Sequence, residues 1–347
     1  METVWFILVA FMLTGYVVLD RFDLGAGALH LPAARTEDER RFVLQSIGPV
    51  WDGNEVWLMA AGGTLFYAFP LLYASSFSGF YLPLNIVVWL LVFRAIGIEF
   101  RMHVDREVWR EFFDGVFSLA SLLLIVFFGV ALGNVMRGVP LAPDHYFFVP
   151  LWTDFRPGSN PGALDWYTVL CAIVTVVAVV MHGALYLIMK TEGELNARMR
   201  RIVTFAIPGV ALLTVAGLLA TVTVRPQLLD NYRSDPAGWV IPVLVAAGLG
   251  GMFYFTRTGS ERNAFLCSCL YIVATLSGAA FALYPVLLPS SGDPANSLTI
   301  YNTASGPLSL SIGLWWWGAG MAIAIGYFVL VYSMFRGKVS GQSGVHG

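Results

Sequence analysis

The sequence predicts an all-α polytopic membrane protein, and three observations carry that reading. Of 347 residues 57% are hydrophobic and only 12% charged, with a mean hydropathy of +0.71, far more apolar than a soluble domain of this length. The apolar residues fall into nine runs of bilayer length, near 3–22, 53–73, 79–98, 115–135, 164–188, 202–223, 238–256, 264–287 and 309–334. No run alternates as a lipid-facing barrel strand would, and lipid offers the backbone no hydrogen-bond partner, so all nine are expected to be helices.

The first run starts with Glu2 and no positive charge and outlasts a signal-peptide core, so it is expected to be a retained anchor. Between runs one and two, "LPAARTEDERRFVLQS" (31–46) places acidic residues before basic ones at helical spacing, which suits a short helix lying at the surface. Run two opens on "WDGNEVW", and run three carries Arg94. The connections 136–162 and 288–308 are long and rich in Pro, Gly and Ser; such loops dock partners, cover sites or simply connect. "LWWWGAG" (314–320) reads as an aromatic belt where the last run enters the bilayer. One membrane domain is expected over residues 1–335, followed by a polar Gly/Ser-rich tail, 336–347, expected to be disordered.

With nine spans assigned, fifteen of the 20 Lys and Arg residues fall on one side. Only Arg137, Arg156, Arg225 and Arg233 fall on the other, and Arg94 lies within a span. The positive-inside rule then puts the N-terminus outside and the C-terminus in the cytoplasm. The net charge of −2 gives no reason to expect nucleic acid as a partner. Cys171, Cys267 and Cys269 lie inside spans and read as small packing residues. His182 is the histidine well inside a span; hydrogen-bonded packing is the simpler reading, a haem ligand the alternative. His30, His103, His145 and His346 are assigned to loops or the tail, and no metal site is evident.

The unusual polar residues gather near the cytoplasmic ends of the first three spans. Asp20 and Asp23 sit near the inner end of span one, Asp52, Asn54 and Glu55 in the first turn of span two, and Arg94 and Glu99 toward the end of span three. Asp20 with Asp23, and Asp52 with Glu55, are spaced i,i+3 and are expected to share a helix face. A charge inside a span costs about 2.5–3.5 kcal/mol at its centre, so these groups should face protein or water. Two readings remain. Arg94 could pair with the carboxylates and pin three helices together, or the acids could form a proton relay leading inward from the cytoplasm. Asp52 could also simply cap its helix.

"DRFDLGAG", "SIGPVWDGNEVWLMAAGGTLFYAFPLLYASSFSGFYLPL", "FRAIGIEFR", "GALYLIMKTEGEL" and "LYPVLLPSS", in order along most of the chain, resemble subunit II of cytochrome bd-type terminal quinol oxidases. The resemblance implies a bacterial cytoplasmic-membrane complex that oxidises quinol outside, reduces dioxygen to water and draws its protons from the cytoplasm. It implies two four-helix bundles plus a peripheral helix, with no complete active site on this chain. No cofactor would be ligated here, since two haems b and haem d belong to the partner, subunit I. It leaves room for a structurally bound quinone, for surrounding lipid and for small single-helix accessory subunits. The choice between menaquinol and ubiquinol would be made in the partner. By the same resemblance Asp52 falls on the proton-path acid, with Trp51, Asn54 and Glu55 as its motif neighbours and Arg94 and Glu99 as a supporting polar pair. Asp20 and Asp23 match the two acids of a first-helix motif that often reads "DGFDLG", and here Arg21 replaces its glycine. A pure scaffold subunit and a secondary transporter are the alternative functions; the absence of an evident inverted repeat weighs against the transporter.

Overall fold

The computed structural model describes residues 1–339. It is a helical assembly of α1 (Glu2–Ala33), α2 (Glu37–Ile47), α3 (Trp51–Ala68), α4 (Pro70–Gly79), α5 (Tyr81–Glu99) and α6 (Glu107–Arg137). There follow α7 (Trp166–Lys190), α8 (Gly193–Val224), α9 (Asp230–Ser234), α10 (Val240–Thr258), α11 (Glu261–Leu283) and α12 (Pro307–Met334). Eight of the described helices, α1, α5, α6, α7, α8, α10, α11 and α12, are long and apolar enough to cross a membrane.

The second run expected from the sequence is divided. Its helix α3 ends at Ala68, Phe69 adopts φ −134° and ψ 65°, and Pro70 starts α4. Proline lacks an N–H and drives the preceding residue out of the helical region, so the break falls where the chemistry requires it. The 18 residues of α3 also begin with Asp52, Asn54 and Glu55, which shortens the apolar part of that helix.

Helix α1 runs through the centre and packs on α3, α6, α7 and α11. Its contact with α7 is close because Gly25 and Gly183 face each other, and a Cβ on either would strike the opposite backbone. Phe22 of α1 stacks on Tyr186 of α7 at 4.0 Å, within a core shared with Ile47, Met199 and Val203. Helix α2 forms where a surface helix was expected, with Thr36 and Glu39 making a reciprocal capping box. Its inner face, Val43, Leu44, Ser46 and Ile47, is buried against protein, and Tyr186 donates to Ser46 O at 2.7 Å.

The two long connections pack together. Strand β1 (Val286–Leu288) pairs antiparallel with β2 (Leu298–Thr299), and Val139 N–H donates to Pro289 O at 3.0 Å. Phe69, Leu72, Val139, Phe147, Leu298 and Leu310 bury a second apolar core beneath them. Trp315 and Trp316 project from the first half of α12 and are exposed. Of the tail expected from residue 336, residues 336–339 lie beside α7, with Val339 N–H donating to Lys190 O at 2.8 Å. The expectation for residues 340–347, and for His346 among them, falls outside the described residues.

Candidate functional site

Three helices bring the expected polar residues to one point. Asp20 and Asp23 stand one turn apart on α1, Asn54 and Glu55 lie in the first turns of α3, and Arg94 faces them from α5. Asp20, Asp23, Asn54 and Arg94 have no solvent exposure. Arg94 Nη1 donates to Asp20 Oδ1 at 2.6 Å and lies 3.5 Å from Glu55 Oε2; its Nη2 is 3.9 Å from Asp23 Oδ2. Asn54 Nδ2 donates to Asp23 Oδ2 at 2.7 Å, and Tyr332 of α12 donates its hydroxyl to Asn54 Oδ1 at 2.8 Å. The Trp51 ring lies 5.9 Å from the guanidinium of Arg94.

The packing is well paired but not saturated. Asp20 Oδ2, Asp23 Oδ1, Glu55 Oε2 and Arg94 Nη2 are buried without a hydrogen-bond partner among the described residues. Buried polar atoms in that condition are ordinarily completed by water or by a neighbouring chain. Arg21, which stands where the resemblance expects glycine, is drawn inward. Its guanidinium lies 4.0 Å from the Phe128 ring and 4.9 Å from that of Tyr16, with Nη1 3.9 Å from Asp20 Oδ2. The cluster thus sets three carboxylates against two guanidinium groups.

Two expected members are elsewhere. Asp52 does not share the inward face with Glu55: it is exposed and makes no ion pair or side-chain hydrogen bond among the described residues. Three residues on a helix turn through about 300°, and at the rim of a buried sector the remaining 60° separates inside from outside. Nor does Asp52 cap α3, whose N-cap is Val50. Glu99 is exposed as well; five residues beyond Arg94, it lies about 140° round the helix, on the far side.

His182 is buried packing with both ring nitrogens engaged, Nδ1 with Ser268 Oγ at 2.7 Å and Nε2 with Val18 O at 3.1 Å. His30, assigned to a loop by the sequence reading, lies inside α1 because the helix continues to Ala33, and it is fully buried. It meets Asp114 Oδ1 of α6 at 2.5 Å, and Asp114 also accepts from Arg101 Nε at 2.5 Å and Arg40 Nη1 at 3.2 Å. Arg101 Nη2 continues to Glu37 Oε2 at 2.9 Å. This second network ties α1, α2, α6 and the turn that follows α5 together. A signal for it was present: Asp23 and His30, and Arg94 and Arg101, are each seven residues apart and therefore lie on one helix face.

A third buried network joins the opposite ends of α6 and α7. Arg137 pairs with Asp165 and donates to Asn134 Oδ1 at 2.6 Å. Asp165 also caps α7, accepting from the N–H groups of Tyr167 and Thr168 at 2.8 and 2.9 Å. Among the described residues no group of three or more His, Cys, Asp or Glu could hold a metal ion, and the three cysteines are free.

Fold and site together define a multi-pass helical membrane protein with a buried carboxylate and guanidinium centre spanning its first, third and fifth helices. The family model for cytochrome bd terminal oxidase subunit II matches residues 1–335. The chain belongs to that family, and it is a subunit of a respiratory quinol oxidase, an oxidoreductase complex of bacterial membranes. It is 33% identical to a probable cytochrome oxidase subunit 2 of Haemophilus influenzae, across 97% of this chain and 94% of that one. It is 32% identical to the cytochrome bd-I ubiquinol oxidase subunit 2 of Escherichia coli K12, across 95% and 91%. A chain in the solved structure of the bd oxidase from Geobacillus thermodenitrificans shares the fold, with a TM-score of 0.76 and 18% identity over 96% of this chain and 98% of that chain.

Proposed function

We propose that this chain stabilises a haem-bearing subunit I and supplies cytoplasmic protons toward that subunit's oxygen-reduction site. The observation that carries the reading is the cluster around Arg94: two fully buried carboxylates, Asp20 and Asp23, beside a half-buried one, Glu55. Three carboxylates against two guanidinium groups leave one negative charge that a proton neutralises, which suits a place where protons pause. Glu55 is the member nearest the surface and receives the proton; Asp20 and Asp23 hold it within the protein. Asp52, exposed beside them, feeds Glu55 from the rim, and Trp51 and Asn54 fix the geometry. Glu99 has no part in this arrangement.

The distribution of Lys and Arg supports an outside N-terminus and a cytoplasmic C-terminus. In this reading α3 is a ninth span, its polar start covered by α1 and α5, and the nine form two four-helix bundles and a peripheral helix. Two haems b and haem d belong to subunit I. His182 does not fit a haem ligand, because both its nitrogens are already bonded within the chain. Lipid and single-helix accessory subunits complete the assembly.

A scaffold role is the second reading, favoured by one specific observation: Arg94 bridges α1, α3 and α5. Oxygen consumption with added quinol, measured beside the haem spectrum in Asp23→Asn and Asp52→Asn complexes, separates the two. Lower turnover with intact haem bands supports proton supply. Normal turnover in both variants sinks it, and loss of haem in both leaves the scaffold.

A further inference from the structure

Next to the Arg94 cluster lies a cavity of about 490 Å³ with polar side chains in its wall. Ser46, Val50, Tyr186, Lys190 and Tyr332 line it, and residues 335–339 close one side. It lies where the end of α2, the start of α3 and the ends of α7 and α12 meet, the side to which the basic residues assign the cytoplasm. Its lysines are largely compensated: Lys190 Nζ donates to Phe335 O at 2.6 Å, and Lys338 lies 3.3 Å from Glu261. Gln45, also in the wall, presents a buried Oε1 without a hydrogen-bond partner among the described residues.

Tyr332 joins this cavity to the buried acids. Tyr332 stands in the cavity wall and donates its hydroxyl to Asn54 Oδ1 at 2.8 Å, while Asn54 donates to Asp23 Oδ2 at 2.7 Å. We infer that this cavity is an antechamber from which Asp23 is protonated, and that Tyr332 is the latch between them. The inference rests on the proton-supply reading and adds to it an entrance distinct from Glu55.

The donor order explains why a latch is needed. Tyrosine donates to the amide oxygen and the amide nitrogen donates to the carboxylate, so the chain is hydrogen-bonded throughout yet passes no proton, because an amide does not readily give up an N–H. Transfer follows when the Tyr332 hydroxyl turns from Asn54 into the cavity and water reaches the carboxylate. A hydronium ion then gives its proton to an Asp23 oxygen and remains as water, with no electron moved. The unpartnered Asp23 Oδ1 is free to take it. Tyr332 is therefore a positioning residue, acting through Asn54.

The test fills the cavity in the assembled oxidase. Gln45→Cys and, from the exposed edge of the opposite wall, Met334→Cys are made separately and treated on cytoplasmic-side-out vesicles with a cationic trimethylammonium thiol reagent. Wild-type complex treated identically controls for the native cysteines. Quinol-driven oxygen consumption should fall by about fivefold or more on labelling, recover on reduction with dithiothreitol, and show in the labelled state a solvent deuterium isotope effect that the unlabelled complex lacks. Full turnover in both fully labelled variants overturns the antechamber, whereas full turnover in both Asp23→Asn and Asp52→Asn overturns the proton reading beneath it. Tyr332→Phe keeps the ring and removes the latch. Its turnover should decline at a higher pH than in wild type, since Asp23 no longer waits for the hydroxyl to turn; an unshifted pH profile with intact haem bands refutes the latch.

Discussion

Replacing Arg94 by leucine removes the one cation that, among the described residues, lies within 4 Å of Asp20, Asp23 and Glu55 together. Asp20 loses a 2.6 Å bond and, with Asp23, stays fully buried. Removing one partner of a buried ion pair costs about 3–5 kcal/mol, mostly the penalty of stranding the other charge. At about 1.4 kcal/mol per decade that is roughly two to three and a half decades in the folded fraction. The assay is equilibrium unfolding of the purified oxidase by titration with sodium dodecyl sulfate in mixed micelles, followed by helicity and haem absorbance. Removing the stranded charge as well should recover part of the loss, so Arg94→Leu combined with Asp20→Asn should be more stable than the single effects sum to, by about 2 kcal/mol. Additivity within about 0.5 kcal/mol, or a single-variant cost below about 1 kcal/mol, would refute the pairing argument.

Asp23→Asn keeps the shape of the site and should lower quinol-driven oxygen consumption by about tenfold or more with haem bands intact. Asp114→Asn withdraws the charge that His30, Arg101 and Arg40 share; the link between α2 and α6 should weaken by about 2 kcal/mol, read as faster proteolysis at residues 34–37. In the capping box of α2 slight burial pushes the Glu39 carboxyl up, but the Arg35 N–H, the Arg198 guanidinium and the Thr36 N–H outweigh it and hold it below its ordinary value. The cap is therefore complete above the ordinary carboxylate range and is lost as pH falls through the lowered folded value. Amide exchange at Thr36 should accelerate, relative to its intrinsic rate, across that window, and Thr36→Ala should speed exchange at Glu39 about fivefold at neutral pH.

Most of the site was legible because helices report their faces through spacing. Asp20 and Asp23 at i,i+3, and Arg94 in an apolar run, announce groups that lipid would not tolerate, and they are found together. The same rule left the facing of Asp52 open: i,i+3 spacing places two residues 60° apart, and whether both face inward depends on where the neighbouring helices stop. Glu99 was paired with Arg94 by the resemblance, although five residues carry it to the far side. His30 was missed because "ALHLPAA" looks like the end of a span, whereas α1 runs on to Ala33 and buries the imidazole against Asp114. Tyr332 had no signal at all, since an aromatic near the end of an apolar run is also what an interface belt looks like.

By itself the sequence determined that this chain is a bundle of membrane helices, which side is basic, and that a few carboxylates and one arginine must be shielded from lipid. Those follow from local free energies: the length of apolar runs, the cost of a charge in hydrocarbon, and the stiffness of proline. Only the tertiary structure decided which carboxylates meet Arg94, that Asn54 and Tyr332 stand between Asp23 and a cavity, and that the long loops bury a core of their own. Such pairings join residues as far apart as Asn54 and Tyr332, and they depend on helix rotation and depth, which packing against several neighbours sets at once.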